Sequence, residues 1–98
     1  MKVVWSPLAE RRTAEAFAYI ANERPSAALR WLDRVLDAVA TLAQFPDRGR
    51  AVPELQRLDV RELIVAPYRV MYRRDAKRVV VLTVRHGRRR FDADEVAS

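Results

Sequence analysis

Ninety-eight residues, half of them hydrophobic and only two of them glycine, suit a single domain with one modest core and exclude both a disordered chain and a two-domain one. The absence of cysteine excludes a disulfide framework and any thiolate metal site, and fits a reducing compartment. Nineteen basic residues against thirteen acidic ones leave a formal charge of +6, nearly all of it on arginine and concentrated after residue 46, so phosphate-bearing and carboxylate-bearing partners are both admitted.

In chain order, "KVVW" is a short β-prone run closed by Ser6-Pro7, an N-cap with proline at the first helical position. Its apolar stretch is too short for a signal segment, and no run approaches the roughly 18 apolar residues of a membrane span, which predicts a soluble cytoplasmic protein without membrane association. "LAERRTAEAFAYIANE" then reads as a helix in which Leu8, Phe17, Ile20 and Ala21 share a face. Pro25 ends it. A second helix starts there, with either Ser26 as its cap or Pro25 in its first turn, and Ala28, Trp31, Leu32, Val35, Leu36, Val39 and Leu42 repeat at the helical period. Two amphipathic helices with a short link predict an antiparallel hairpin.

"FPDRGRAVPEL" carries Pro46, Gly49 and Pro53 and reads as a loop. After it come "VRELIVA", "YRVMYRR" and "RVVVLTVRH", all rich in β-branched or aromatic residues and separated by Ala66-Pro67 and Asp75-Ala76-Lys77 at hairpin lengths. Val79 to Val84 is apolar at nearly every step, as a central strand covered on both faces would be. The expected architecture is α+β: one domain over residues 1–98, with an N-terminal strand and an antiparallel helix hairpin packed on a mostly antiparallel sheet that three C-terminal strands complete.

Catalytic motifs are lacking. There is no Gly-rich phosphate loop, a lone histidine cannot build a multi-histidine metal centre, and no serine sits in a nucleophile elbow. No metal or cofactor is expected. What remains is basic and strand-borne: alternation sets Tyr68, Val70 and Tyr72 on one face of their strand and Arg69, Met71 and Arg73 on the other. If the strands pair as adjacent hairpins, Arg61, Arg69 and the run from Arg85 to Arg90 line one side of the sheet, where a phosphate could sit. The alternative is that Arg69 and Arg73 pair with acids such as Glu62 on a solvated face. Phe91 is either a dock for the tail or part of a partner surface.

The succession of "WSPLA", "YIANERPSAALRWLDRV", "LAQFPDRGRAVPEL", "VRELIVAPYRVMYRRD" and "VVVLTVRHGRRRF" resembles the RelE/ParE superfamily of bacterial type II toxins, most closely its ParE branch. The resemblance covers nearly the whole chain. It implies a growth-arresting toxin that inhibits DNA gyrase without catalysis of its own and forms a hetero-oligomer with a cognate antitoxin, whose acidic amphipathic segment neutralises it. On that reading Arg61, Arg69, His86, Arg88, Arg89, Arg90 and Phe91 are the candidate contacts to target or antitoxin. The alternative implied by the other branch is a ribosome-dependent mRNA endoribonuclease using Arg61, Arg69 and His86. Against it stands the tail, where that branch expects an aromatic hydroxyl and this chain has Phe91.

Overall fold

The computed structural model describes residues 1 to 97; Ser98 lies outside the described residues. Strand β1 (Lys2–Trp5) leads into helix α1 (Pro7–Ala21) and helix α2 (Pro25–Ala40), followed by β2 (Arg50–Ala51), β3 (Val60–Val65), β4 (Tyr68–Arg74) and β5 (Arg78–His86). A 3-10 turn at Ala93–Val96 closes the tail. The strands form one sheet in the order β1-β5-β4-β3-β2, in which only β1 and β5 run parallel.

Ser6 makes the turn from strand to helix. Its backbone N–H donates to the Val81 carbonyl at 3.0 Å, its hydroxyl donates to the Leu82 carbonyl at 3.1 Å, and the same oxygen accepts from the Ala9 N–H at 3.0 Å as the N-cap of α1. Pro7 then occupies the first helical position, where a missing N–H costs nothing. α2 begins directly at Pro25, with no side-chain cap, so the proline and not Ser26 starts it.

The seam of α2 buries Ala28, Trp31, Val35 and Val39, while Leu32 is half-buried and Leu36 stays exposed. α1 differs from the reading of its sequence. Its fully inward line is Ala9, Thr13 and Ala16, with Leu8, Phe17 and Ile20 only half-buried beside it. Small side chains at that spacing let the helix approach β5 closely, and the large apolar residues then wedge in from the flanks.

The sheet is covered on both faces. Leu63, Val65, Tyr68, Val70, Tyr72, Val79, Val81 and Val84 pack beneath the helices, whereas Val60, Met71, Val80 and Leu82 pack on the other side with Val52 and Val96. That second cover comes from the 52–55 loop and the tail. It explains why β5 is apolar at nearly every position. The register between β4 and β5 slips once: Met71 faces Thr83 and Tyr72 faces Val81, which leaves Leu82 as an extra residue.

Two features depart from the expected order of elements. The 45–55 segment contributes the two-residue strand β2, and the tail folds into a 3-10 turn instead of trailing off. β2 forms because the approach to it is anchored: Tyr72 Oη accepts from the Gly49 N–H at 3.0 Å and donates to the Pro46 carbonyl at 2.8 Å. A Cβ on Gly49 would lie 2.7 Å from Tyr72 Oη and 2.8 Å from the Glu62 carbonyl oxygen. Gly49→Ala should therefore destabilise the fold by about 1 to 3 kcal/mol in a denaturant titration, as overpacking does. Gly87→Ala, whose added Cβ would meet only the Pro67 carbonyl oxygen at 3.2 Å, should cost clearly less.

Candidate functional site

Arg61 and Arg69 do not share a face. Arg61 pairs with Tyr72 and Arg69 with Ile64 across the β3–β4 ladder, so strict alternation sends them to opposite sides of the sheet. Arg61 donates to the Gly49 carbonyl at 2.9 Å and stands 3.7 Å from the Asp47 carboxylate, holding the 45–50 loop. Arg69 is 8% exposed, on the face covered by the 52–55 loop and the tail. Its Nε donates to Glu62 at 2.7 Å, and its two terminal nitrogens donate to the two oxygens of Glu54 at 2.9 and 2.7 Å. Glu62, with no side-chain exposure, also accepts from Arg50 Nε at 2.7 Å. Arg50, Glu62, Arg69 and Glu54 thus form one alternating chain of charges. The bond from Glu54, with help from Glu62, raises the Arg69 pKa in spite of its burial, and the Arg69 guanidinium holds Glu54 below the usual carboxylate range.

A second carboxylate closes the tail over the same face. Glu95 accepts from Arg12 Nε and Nη2 at 3.0 and 2.8 Å, from the Thr83 hydroxyl at 2.8 Å and from Arg85 Nη1 at 3.1 Å. Burial alone would push its pKa up; the bonds from Arg12 and Thr83 overcome that and lower it. Phe91 belongs to this cover. Its ring packs on the second apolar cluster, with the Arg69 guanidinium carbon 6.0 Å from the ring centroid, so it docks the tail.

The segment from His86 to Arg90 is a compact turn beyond β5. The Gly87 N–H donates to the Pro67 carbonyl at 2.8 Å, the Arg89 N–H to the His86 carbonyl at 2.9 Å, and Arg85 Nε to the Arg90 carbonyl at 2.7 Å. His86 Nδ1 accepts from the Arg88 N–H at 3.0 Å, which leaves Nε2 to carry the imidazole proton. The His86 ring meets Tyr68 edge-on at 5.2 Å, on the helix side of the sheet. Between this turn and α1 lies a cleft of about 530 Å³. Tyr19, Tyr68, Arg88 and Arg89 are among the residues that line it.

Of the residues singled out in the sequence, His86, Arg88 and Arg89 therefore come together, with exposed Arg90 beside them; Arg61, Arg69 and Phe91 do not join them. Among the described residues the side chains of Arg88, Arg89 and Arg90 form no ion pair, whereas Arg50, Arg57, Arg61, Arg69, Arg73, Arg74, Arg78 and Arg85 each face a carboxylate. No group of three or more potential metal ligands occurs among the described residues. Sequence reasoning missed Glu54, Glu95 and Arg12 as groups that organise the charges; it offered Glu62 as a partner of Arg69 but on a solvated face, whereas the pair is buried. For Glu62 a signal existed, an acid among the apolar residues of "VRELIV".

Two outcomes follow for stability. Arg69→Ala should cost about 3 to 5 kcal/mol in chemical unfolding, because it strands the buried Glu62 carboxylate with Arg50 as its remaining partner. Glu54 and Glu95 are held below their ordinary range when folded, so the unfolded chain binds more protons around pH 4. Their contribution is complete above the unfolded carboxylate value of about 4.3 and is lost as pH falls through the folded values. The melting temperature should thus fall steeply below about pH 4, and Glu95→Gln should lower it at neutral pH and flatten that acid limb.

Comparison with known proteins agrees with this architecture. Residues 3–91 match the family model described as "ParE toxin of type II toxin-antitoxin system, parDE". A curated relative, "Putative toxin Y4kP" from Sinorhizobium fredii (strain NBRC 101917 / NGR234), is 36% identical over 92 residues, 92% of each chain. A solved structure described as "Chromosomal ParDE TA system from P. aeruginosa" superposes with a TM-score of 0.73 at 20% identity, over 88% of this chain and 95% of that one, and shares its fold. With the family model spanning β1 through the arginine turn, the chain belongs to the ParE toxin family of type II toxin-antitoxin systems.

Proposed function

We propose that this protein arrests growth by binding and inhibiting DNA gyrase in the cytoplasm, without catalysis of its own, and that its cognate antitoxin silences it by direct binding. The observation that carries this reading is the division of the arginines. Those on strands β2 to β5 face the chain's own carboxylates, whereas Arg88, Arg89 and Arg90 stand side by side on an ordered turn with no ion pair among the described residues. A rim of free guanidiniums grips an anionic partner and performs no proton transfer.

The endoribonuclease alternative has less support. Cleavage through a 2′-hydroxyl needs a base, an acid and an exposed cation at the phosphate. Arg69 is enclosed by Glu54 and Glu62, and Arg61 lies on the other side of the sheet from it, so the residues of that reading do not meet at one phosphate.

For the antitoxin, the apolar groove between α1 and α2 offers a seat. Ala14, Phe17, Leu32 and Leu36 line it, next to Trp5, and Leu36 is exposed. An amphipathic segment placing apolar residues there and acidic ones on the 88–90 turn would satisfy both surfaces. The strand arginines are not available to it.

Purified protein should inhibit supercoiling by gyrase, and expression without antitoxin should arrest growth while primer extension finds no new A-site cuts in translated mRNA. Normal supercoiling at saturating protein would refute the gyrase assignment. Arg88→Glu combined with Arg89→Glu should weaken antitoxin binding about tenfold or more at low salt, less at high salt, and reduce toxicity without lowering the melting temperature. Calorimetry at two salt concentrations beside a growth assay reads both effects.

A further inference from the structure

The cleft under the arginine turn holds an unfilled set of donors. Tyr68 is only 6% exposed, yet its hydroxyl forms no hydrogen bond with any described residue and lies near Tyr19 and Arg89, both of which line the cleft. The hydroxyl itself is not sealed from solvent, so it is open to a partner in the cleft. Beside it, His86 offers Nε2–H, because Nδ1 is already engaged, and Arg88 and Arg89 bring guanidiniums that no carboxylate neutralises. Arg12, also in the wall, is occupied by Glu15 and Glu95. Apart from Glu15, the free polar groups of the cleft can donate, as a phosphate requires.

A planar group has a place too. Tyr19 is 77% exposed and no other ring meets it, so its face is open for stacking at the same cleft. The volume of about 530 Å³ matches a small ligand and is too small for a helix. Glu15 has one carboxylate oxygen bonded to Arg12 and the other unbonded. It would accept from a base amino group.

We propose that this cleft binds a nucleoside phosphate, with the phosphate held by Arg88, Arg89, the Tyr68 hydroxyl and His86 Nε2–H, and the base stacked on Tyr19 beside Glu15. The site is on the helix side of the sheet, away from Arg69, and does not depend on whether gyrase is the target. The same chemistry can come from a free mononucleotide or from the phosphorylated end of a nucleic-acid strand.

The full-length protein should be titrated by calorimetry with AMP, GMP, adenosine, inorganic phosphate, short oligonucleotides with and without a 5′-phosphate, and a glutamate-rich peptide. A mononucleotide should bind one to one, at least tenfold tighter than adenosine or phosphate alone. Tyr68→Phe removes an unpartnered hydroxyl, so it should weaken binding about fivefold to tenfold while leaving the melting temperature unchanged. Tyr19→Ala should weaken nucleotide but not inorganic phosphate. Preference for the 5′-phosphorylated strand over AMP would assign the site to strand ends, and the reverse to free nucleotide; either supports the proposal. Binding of the acidic peptide alone, or no saturable binding by any phosphate ligand, would overturn it, as would full affinity in Tyr68→Phe.

Discussion

The Glu62 carboxylate, buried between Arg50 and Arg69, is the constraint on which the second face of this sheet depends. An unpaired carboxylate there would cost several kcal/mol, so the chain must keep both guanidiniums in place. Arg50 can do so only if β2 lies along β3, and Arg69 carries Glu54 and with it the 52–55 loop. That loop brings Val52 and Leu55 against the sheet, where Val96 and Phe91 of the tail meet them. A buried pair of this kind is weak evidence for stability beyond an apolar alternative, but it demands one arrangement of loop and sheet.

The consequence for chemistry is that composition overstates the available charge. Thirteen basic residues follow residue 46, and eight of them are tied to six of the eight acidic ones found there. Glu95 shows how far this goes: a single carboxylate gathers Arg12 from α1 and Arg85 from β5, and the Thr83 hydroxyl between them. Net charge counts these groups as positive surface, whereas the fold uses them as internal fasteners.

Much of the architecture was legible from local signals. The period of Trp31, Val35 and Val39 marked α2, Ser6-Pro7 marked the start of α1, and the unbroken apolar run of β5 announced a strand covered on both sides. The separation of Arg61 from Arg69 was also legible in principle. A two-residue Ala66-Pro67 link pairs Val65 with Tyr68, hence Arg61 with Tyr72, and parity then puts Arg69 on the other face. The faces at the end of β5 were not. They depend on the slip at Leu82, which shifts the register between Tyr72 and Val70 and brings His86 opposite Tyr68. No local signal marks that bulge in a run of β-branched and apolar residues, and the partners of Glu95, 83 and 10 residues away in sequence, exist only once the tail has folded back.

The arginine turn combines two properties that composition would not join: free charge and fixed backbone. Its N–H groups at Gly87, Arg88 and Arg89 are all bonded, and Arg85 clamps the Arg90 carbonyl, so little backbone freedom remains to be lost when a partner arrives. Exposed charges of this kind act mainly on the rate of encounter and fade with salt, while apolar contacts set how long a complex lasts. The apolar groove between the helices lies elsewhere on the surface, lined by Phe17, Leu32 and Leu36. A partner that touches only the rim would come and go quickly, and one that also fills the groove would stay. On the proposed function, an antitoxin that reaches both surfaces can displace a target held at the rim, without any change in the toxin itself.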